Sequence, residues 1–169
     1  MHPLVRLAKD TVELYIREKK IPEVRDDQFD PEFRVPAGVF VCLKIGGMLR
    51  GCIGTFQPAE QSVVRETVRN AVSAATCDPR FACVRPGELP SLEYTVDVLT
   101  PPEQVTGRAD LDPKRYGVIV QAGGRRGLLL PDLEGVDSVD EQISIAMQKA
   151  GIPSGATVTL FRFEVKRYH

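Results

Sequence analysis

The chain has 169 residues, the size of one domain, and its 43% apolar and 27% charged content is that of a globular protein, which excludes a disordered or fibrous chain. Lys and Arg number 22 against 23 Asp and Glu, so the net charge of −1 supplies no global field for nucleic acid or anionic lipid, and any anion site must be local. No apolar run is long enough to span a bilayer and Met1-His2-Pro3 does not open a secretory leader, so a cytoplasmic protein with no membrane partner is expected.

From Pro3 to about Lys19, Leu4, Leu7, Ala8, Leu14 and Tyr15 keep a rough 3.6-residue period with charges between them, which predicts an amphipathic helix. Ile21 to Pro36 carries three prolines and reads as a surface connection. Gly38 to Thr55 reads as a hairpin turning on Gly46-Gly47, and strict alternation along its second strand puts Arg50 and Cys52 on one face. Glu60 to Thr76 is a second helix, with Val64, Val68, Ala71, Val72 and Ala75 on the buried stripe and Arg65, Glu66, Arg69 and Asn70 on the polar one. Asp78-Pro79 ends it, because proline disfavours helical geometry in the residue before it.

Leu92 to Leu99 alternates apolar Leu92, Tyr94, Val96 and Val98 with Glu93, Thr95 and Asp97, the period of a strand with one polar face. The stretch from Pro101 to Pro113 reads as polar loop, and a second hairpin, Tyr116 to Gln121 and Arg126 to Leu130, turns on Gly123-Gly124. Ser138-Val139-Asp140-Glu141 is a capping box that opens a third helix, closed by Gly151, and Thr157 to Val165 alternates once more. Hairpins impose antiparallel neighbours and the helices need a sheet to cover. The expected fold is α+β: a mostly antiparallel sheet built from the two hairpins plus further strands, covered by about three helices, in a single domain over residues 1–169.

Chemistry concentrates at Leu49-Arg50-Gly51-Cys52-Ile53-Gly54, where a thiol stands beside a permanent cation and between two glycines. A desolvated guanidinium favours the thiolate, the species that attacks, and glycine allows a ligand close approach. Two readings of Cys52 stand at this point: a nucleophile activated by Arg50, or a small apolar strand residue, since free cysteine is among the most buried residue types. Arg50 and Arg80 offer forked donors for a small anion, although Arg80 can equally pair with Asp78 to pin its own loop. Asp78 or Glu93 would position a proton. Asp97 lies on the face of Glu93, but roughly 13 Å along the strand at about 3.3 Å per residue, too far to share one. The four cysteines, Cys42, Cys52, Cys77 and Cys83, contain no Cys-x-x-Cys pair and the two histidines, His2 and His169, lie at opposite ends. Reduced thiols are therefore expected, with neither a structural metal site nor a cofactor.

The Val39-to-Gly54 stretch with its LRGCIG core, Asp78-Pro79-Arg80-Phe81, Arg126-Gly127-Leu128-Leu129-Leu130-Pro131, Leu133-Glu134-Gly135-Val136-Asp137 and Lys149-Ala150-Gly151 resemble, in order and spacing, the AMMECR-one domain family. Within it the chain is similar to the stand-alone AmmeMemoRadiSam-system type. The resemblance implies an α+β fold with a larger sheet-bearing part and a smaller one beside it, the hexapeptide near the cleft between them. It also implies Memo-like and radical-SAM proteins as genomic company, and it carries no established activity. Two functions follow. One is an enzyme or enzyme component with catalytic Cys52, Arg50, Asp78 and Glu93 and a ligand held by Gly51, Gly54 and Arg80. The other is a non-catalytic binding or adaptor subunit for a small anion or for those partners.

Overall fold

The computed structural model describes residues 1–169, which fall into two compact units: Met1–Leu99 with Lys166–His169, and Thr100–Val165. The α+β class with antiparallel pairing holds, but each hairpin heads its own four-stranded sheet rather than sharing one. Local alternation specifies strands and turns; it carries no information on which strands pair at long range.

In the first unit, helix α1 (Pro3–Glu18) starts where proline costs nothing, at the first helical position, with the His2 side chain accepting from the Leu4 N–H. It buries Leu4, Val5, Leu7, Ala8, Val12 and Ile16. The connection that follows contains two short 3₁₀ turns and buries Phe33. Strands β1 (Val39–Ile45) and β2 (Met48–Thr55) form the first hairpin, α2 spans Val63–Thr76, and β3 is Leu92–Leu99. With β8 (Val165–Tyr168) the sheet order is β2-β1-β3-β8. Val39, Val41 and Leu43 of β1 and Tyr94 and Val96 of β3 share the buried face and join the α1 and α2 stripes in one core. Burying each such side chain contributes about 1.5–3 kcal/mol.

Helix α2 begins at Val63, later than its periodicity suggests, because Ser62 is the cap and its Oγ accepts from the Arg65 N–H at 3.2 Å. Glu66 and Asn70, expected on the polar stripe, are fully buried instead. The Glu66 carboxylate takes the N–H groups of Ala59 (2.9 Å) and Glu60 (2.7 Å) and the Thr55 hydroxyl, while Asn70 donates to the Val39 carbonyl at 2.9 Å. Helical period alone cannot separate a solvated polar residue from one satisfied indoors.

The second unit repeats the wiring of the first. Strands β5 (Gly117–Ala122) and β6 (Arg125–Leu129), helix α3 (Val139–Ala150) and β7 (Thr159–Phe163) follow the same hairpin-helix-strand path. The sheet order is β4-β7-β5-β6, with β4 (Glu103–Val105) a three-residue strand inside the stretch expected to be loop. Its own core gathers Val118, Val120, Leu129, Ile143, Ala146 and Met147. The ends of this unit are clasped: Thr100 N–H donates to the Glu164 carbonyl at 2.9 Å and Glu164 N–H to the Thr100 hydroxyl at 2.8 Å.

The parallel extends to the glycines beneath the helices. A Cβ on Gly51 of β2 would stand 2.2 Å from the Ala74 carbonyl oxygen of α2, and one on Gly127 of β6 would stand 2.0 Å from that of Ala146 in α3. In each unit the helix backbone rests directly on the hairpin's second strand, a packing only glycine permits.

Candidate functional site

The LRGCIG segment occupies β2, and its geometry departs from strict alternation at one residue. Cys42 pairs with Cys52 and Leu43 with Gly51, but Lys44 pairs with Leu49, so Arg50 is the extra residue of a β-bulge. Counting back from the Gly46-Gly47 turn without the bulge would have set Cys42 against Gly51. The bulge instead turns Gly51 onto α2 and brings the two cysteines level on the face away from the helices, alongside Phe40, Gly54, Thr95 and Glu93. Both cysteines there are half-buried, and their sulfurs are bonded to each other. The expectation of four reduced thiols is corrected accordingly: Cys77 and Cys83 are free and exposed, Cys42 and Cys52 are paired.

Arg50 does not serve the sulfur as expected. Its Nε and Nη2 form a two-pronged ion pair with Glu88, at 2.8 and 3.1 Å, while Nη1 donates to the Ala82 carbonyl at 2.9 Å and Nη2 to that of Cys83 at 3.3 Å. The hydrogen bond to Glu88 raises the Arg50 pKa and lowers that of Glu88, which also accepts the Arg85 N–H at 2.7 Å. With a side chain only 16% exposed, Arg50 is a clamp on the segment after α2 rather than an open cation.

Asp78 and Arg80 form the neighbouring clamp. Asp78, almost fully buried, takes the Arg80 Nε at 3.0 Å, its Nη2 at 2.8 Å and its backbone N–H at 3.1 Å. Its other contact is the Cys52 N–H at 2.9 Å, which pins the strand at the cysteine itself. The Arg80 guanidinium, first of all, and then these N–H donors hold the Asp78 carboxyl well below the usual carboxylate range, against the opposing effect of burial. Arg80 also reaches the Cys52 carbonyl at 3.4 Å, and the guanidinium carbons of Arg50 and Arg80 lie 5.9 and 5.6 Å from the Phe81 ring centroid.

Of the residues singled out in the sequence, Cys52, Asp78 and Arg80 are brought together through hydrogen bonds, and Arg50 joins them across Phe81. Glu93 shares the outer face with Cys52, two residues along β3 from the Cys42 row, opposite Lys44 and accepting the Gly47 N–H at 3.3 Å. Gly51 and Gly54 are accounted for by packing: Gly54 lies against the Phe40 ring as Gly51 lies against α2. Asp97 is buried in a two-pronged ion pair with Arg167 of β8, both contacts 2.8 Å, and has no role with Glu93. Three participants were not anticipated. Glu88 carries the signal of a Pro-Gly-Glu turn three residues from its backbone partner Arg85; Cys42 becomes visible only once the bulge is known; Glu66 has no local signal.

The AMMECR1 family model matches residues 5–168. A Thermotoga maritima protein is 50% identical over 169 residues, covering 99% of this chain and 97% of that relative. A Clostridium acetobutylicum protein is 46% identical over 98% of this chain, yet the match spans only 36% of its length. The crystal structure of an uncharacterised Pyrococcus horikoshii protein superposes with a TM-score of 0.85 at 34% identity, covering 97% of this chain and 88% of that one. A match across nearly the whole sequence, with the fold retained, establishes that the chain belongs to the AMMECR1 family.

Proposed function

We propose that this chain is the thiol-bearing component of a cytoplasmic enzyme system that works with Memo-like and radical-SAM proteins, with Cys52 as the reacting atom once its bond to Cys42 is opened. The observation that carries the reading is the Cys42–Cys52 pair itself, half-buried on a sheet face that no helix of its unit covers, with the Cys52 backbone fixed by Asp78. A dithiol donor would supply the two electrons: its thiolate attacks the Cys42 sulfur, Cys52 departs as thiolate, and the donor's second thiol releases Cys42 while becoming a disulfide. Cys52 is then available for acyl or thioester chemistry; of the two carboxylates that flank the Cys42 row on this face, Glu93 is the one to serve as proton carrier, since Asp97 is held by Arg167. Arg50 and Arg80 have positioning roles in this scheme, since their forks hold Glu88 and Asp78. Action within a larger assembly is supported by the Clostridium relative, in which this domain is about a third of a longer chain.

The second reading, a non-catalytic adaptor, is favoured by the internal occupation of Arg50, Asp78, Gly51 and Gly54. Alkylation of the dithiothreitol-reduced, folded protein across pH separates the two, with the exposed Cys77 and Cys83 as internal references. Labelling of Cys52 at or above their rate below pH 8 supports a working thiol. Protection of Cys52 until the protein unfolds leaves the adaptor.

A further inference from the structure

The two free cysteines flank the loop that holds Cys52, and both converge on Thr76. Cys77 ends α2, and its sulfur lies 3.4 Å from the Thr76 hydroxyl. Cys83, five residues beyond Asp78, donates its thiol to the Thr76 carbonyl at 3.3 Å. The chain is held in this return by the Val84 N–H, which donates to the Ala75 carbonyl at 2.9 Å, and by burial of Val84. The Thr76 carbonyl belongs to the peptide bond that leads into Cys77, so standard dimensions put the Cys83 sulfur within about 6 Å of the Cys77 Cα. A disulfide joins residues whose Cα atoms are about 4.4–6.8 Å apart, a range that a return anchored on Thr76 can reach. Rotation of the two exposed side chains, with adjustment of the short loop between them, would bring the sulfurs together.

We infer that Cys77 and Cys83 are a second, reversible dithiol site, a place of modification by low-molecular-weight disulfides that closes the Cys77-to-Cys83 loop into a ring. One thiolate attacks the small disulfide, forming a mixed disulfide and releasing one small thiolate. The second protein thiol, having lost its proton to solvent, attacks the protein sulfur of that mixed disulfide and expels the other. Two protein thiols are oxidised and one small disulfide is reduced to two thiols. The ring encloses Asp78, Arg80 and Phe81, and with them the contact to the Cys52 N–H and the aromatic face shared by both arginines. Modification here acts on the anchor of β2 without touching the sulfur of Cys52, and it stands whether or not Cys52 is catalytic.

The test treats the folded full chain with oxidised glutathione, blocks remaining thiols with N-ethylmaleimide and reads a non-reducing tryptic digest by mass spectrometry. Trypsin cuts after Arg80, between the two cysteines, so ring closure joins the peptide ending at Arg80 to the one beginning at Phe81. The expected product is that linked pair, two hydrogens lighter than its reduced parts, released by dithiothreitol. Cys77→Ser should instead retain one glutathione on Cys83. Separate glutathione adducts on Cys77 and Cys83 in the unsubstituted chain, or linkage of either to Cys42 or Cys52 only, would overturn the assignment.

Discussion

Substituting Gly51→Ala places a methyl group 2.2 Å from the Ala74 carbonyl oxygen and 3.2 Å from its carbonyl carbon. Relief requires roughly 1 Å of movement, since ordinary van der Waals contact with a methyl carbon begins near 3.4 Å, and the obstacle is helix backbone rather than a flexible side chain. Helix α2 is packed against α1, β1 and β2 and is tied by the Glu66 and Asn70 hydrogen bonds, so it cannot retreat alone. Overpacking of this kind costs about 3 kcal/mol. With a urea m-value of about 2 kcal/mol/M, the unfolding midpoint should fall by about 1.5 M. Gly127→Ala, 2.0 Å from the Ala146 carbonyl oxygen, should lose a comparable amount in the second unit, whereas Gly87→Ala, with open space around it, should change little. If the Gly51→Ala midpoint fell no further than that of Gly87→Ala, the claim that α2 rests on β2 through this glycine would be wrong.

Two further outcomes follow from the site and a third from the cap of α1. Asp78→Asn removes the charge that holds Arg80 and weakens the hold on the Cys52 N–H, which should cost about 2 kcal/mol at neutral pH. Because the folded Asp78 pKa is depressed, that difference should be full above the unfolded carboxylate value near pH 4 and shrink as pH falls below it, as read from urea midpoints of both proteins. Arg50→Lys keeps the charge but loses the fork on Glu88; faster amide exchange across residues 82–88 with an unchanged Cys52 labelling rate is expected. A tenfold slower labelling without faster exchange would return Arg50 to the role of thiol activator. Burial lowers the His2 pKa against the opposing pull of Asp30 and Glu32, and its neutral ring accepts the Leu4 N–H while stacking on Tyr168 at 4.1 Å. Its contribution is present above about pH 6.5 and lost as pH falls through the lower folded value, so His2→Ala should flatten the thermal stability profile between pH 7 and 5.

The elements visible in the sequence are those written in local rules. Alternation bounded β3 at Leu92 and Leu99, paired glycines located both hairpin turns, and the Ser138 box and Gly151 marked both ends of α3. What escaped depends on partners distant in the chain. A three-residue β4 next to Pro101-Pro102 has too few positions to show a period, and division into two sheets is a matter of pairing. The site shows the same limit. The Asp78-Arg80 pair is legible because its members are two residues apart, while alternation alone sets Arg50 beside Cys52; the bulge interrupts that alternation, and the partner of Arg50 lies 38 residues away.

The clasp between Thr100 and Glu164 bears on the order in which the chain assembles. Residues 100–164 intervene between β3 and β8, and closing so long an unstructured loop would delay the first sheet's last strand. When the intervening segment folds by itself, its two ends come within hydrogen-bonding reach, and β8 is delivered beside β3 almost without a search. Folding of the inserted unit thus reduces the effective loop between β3 and β8 from the whole of residues 100–164 to the width of one hydrogen-bonded clasp.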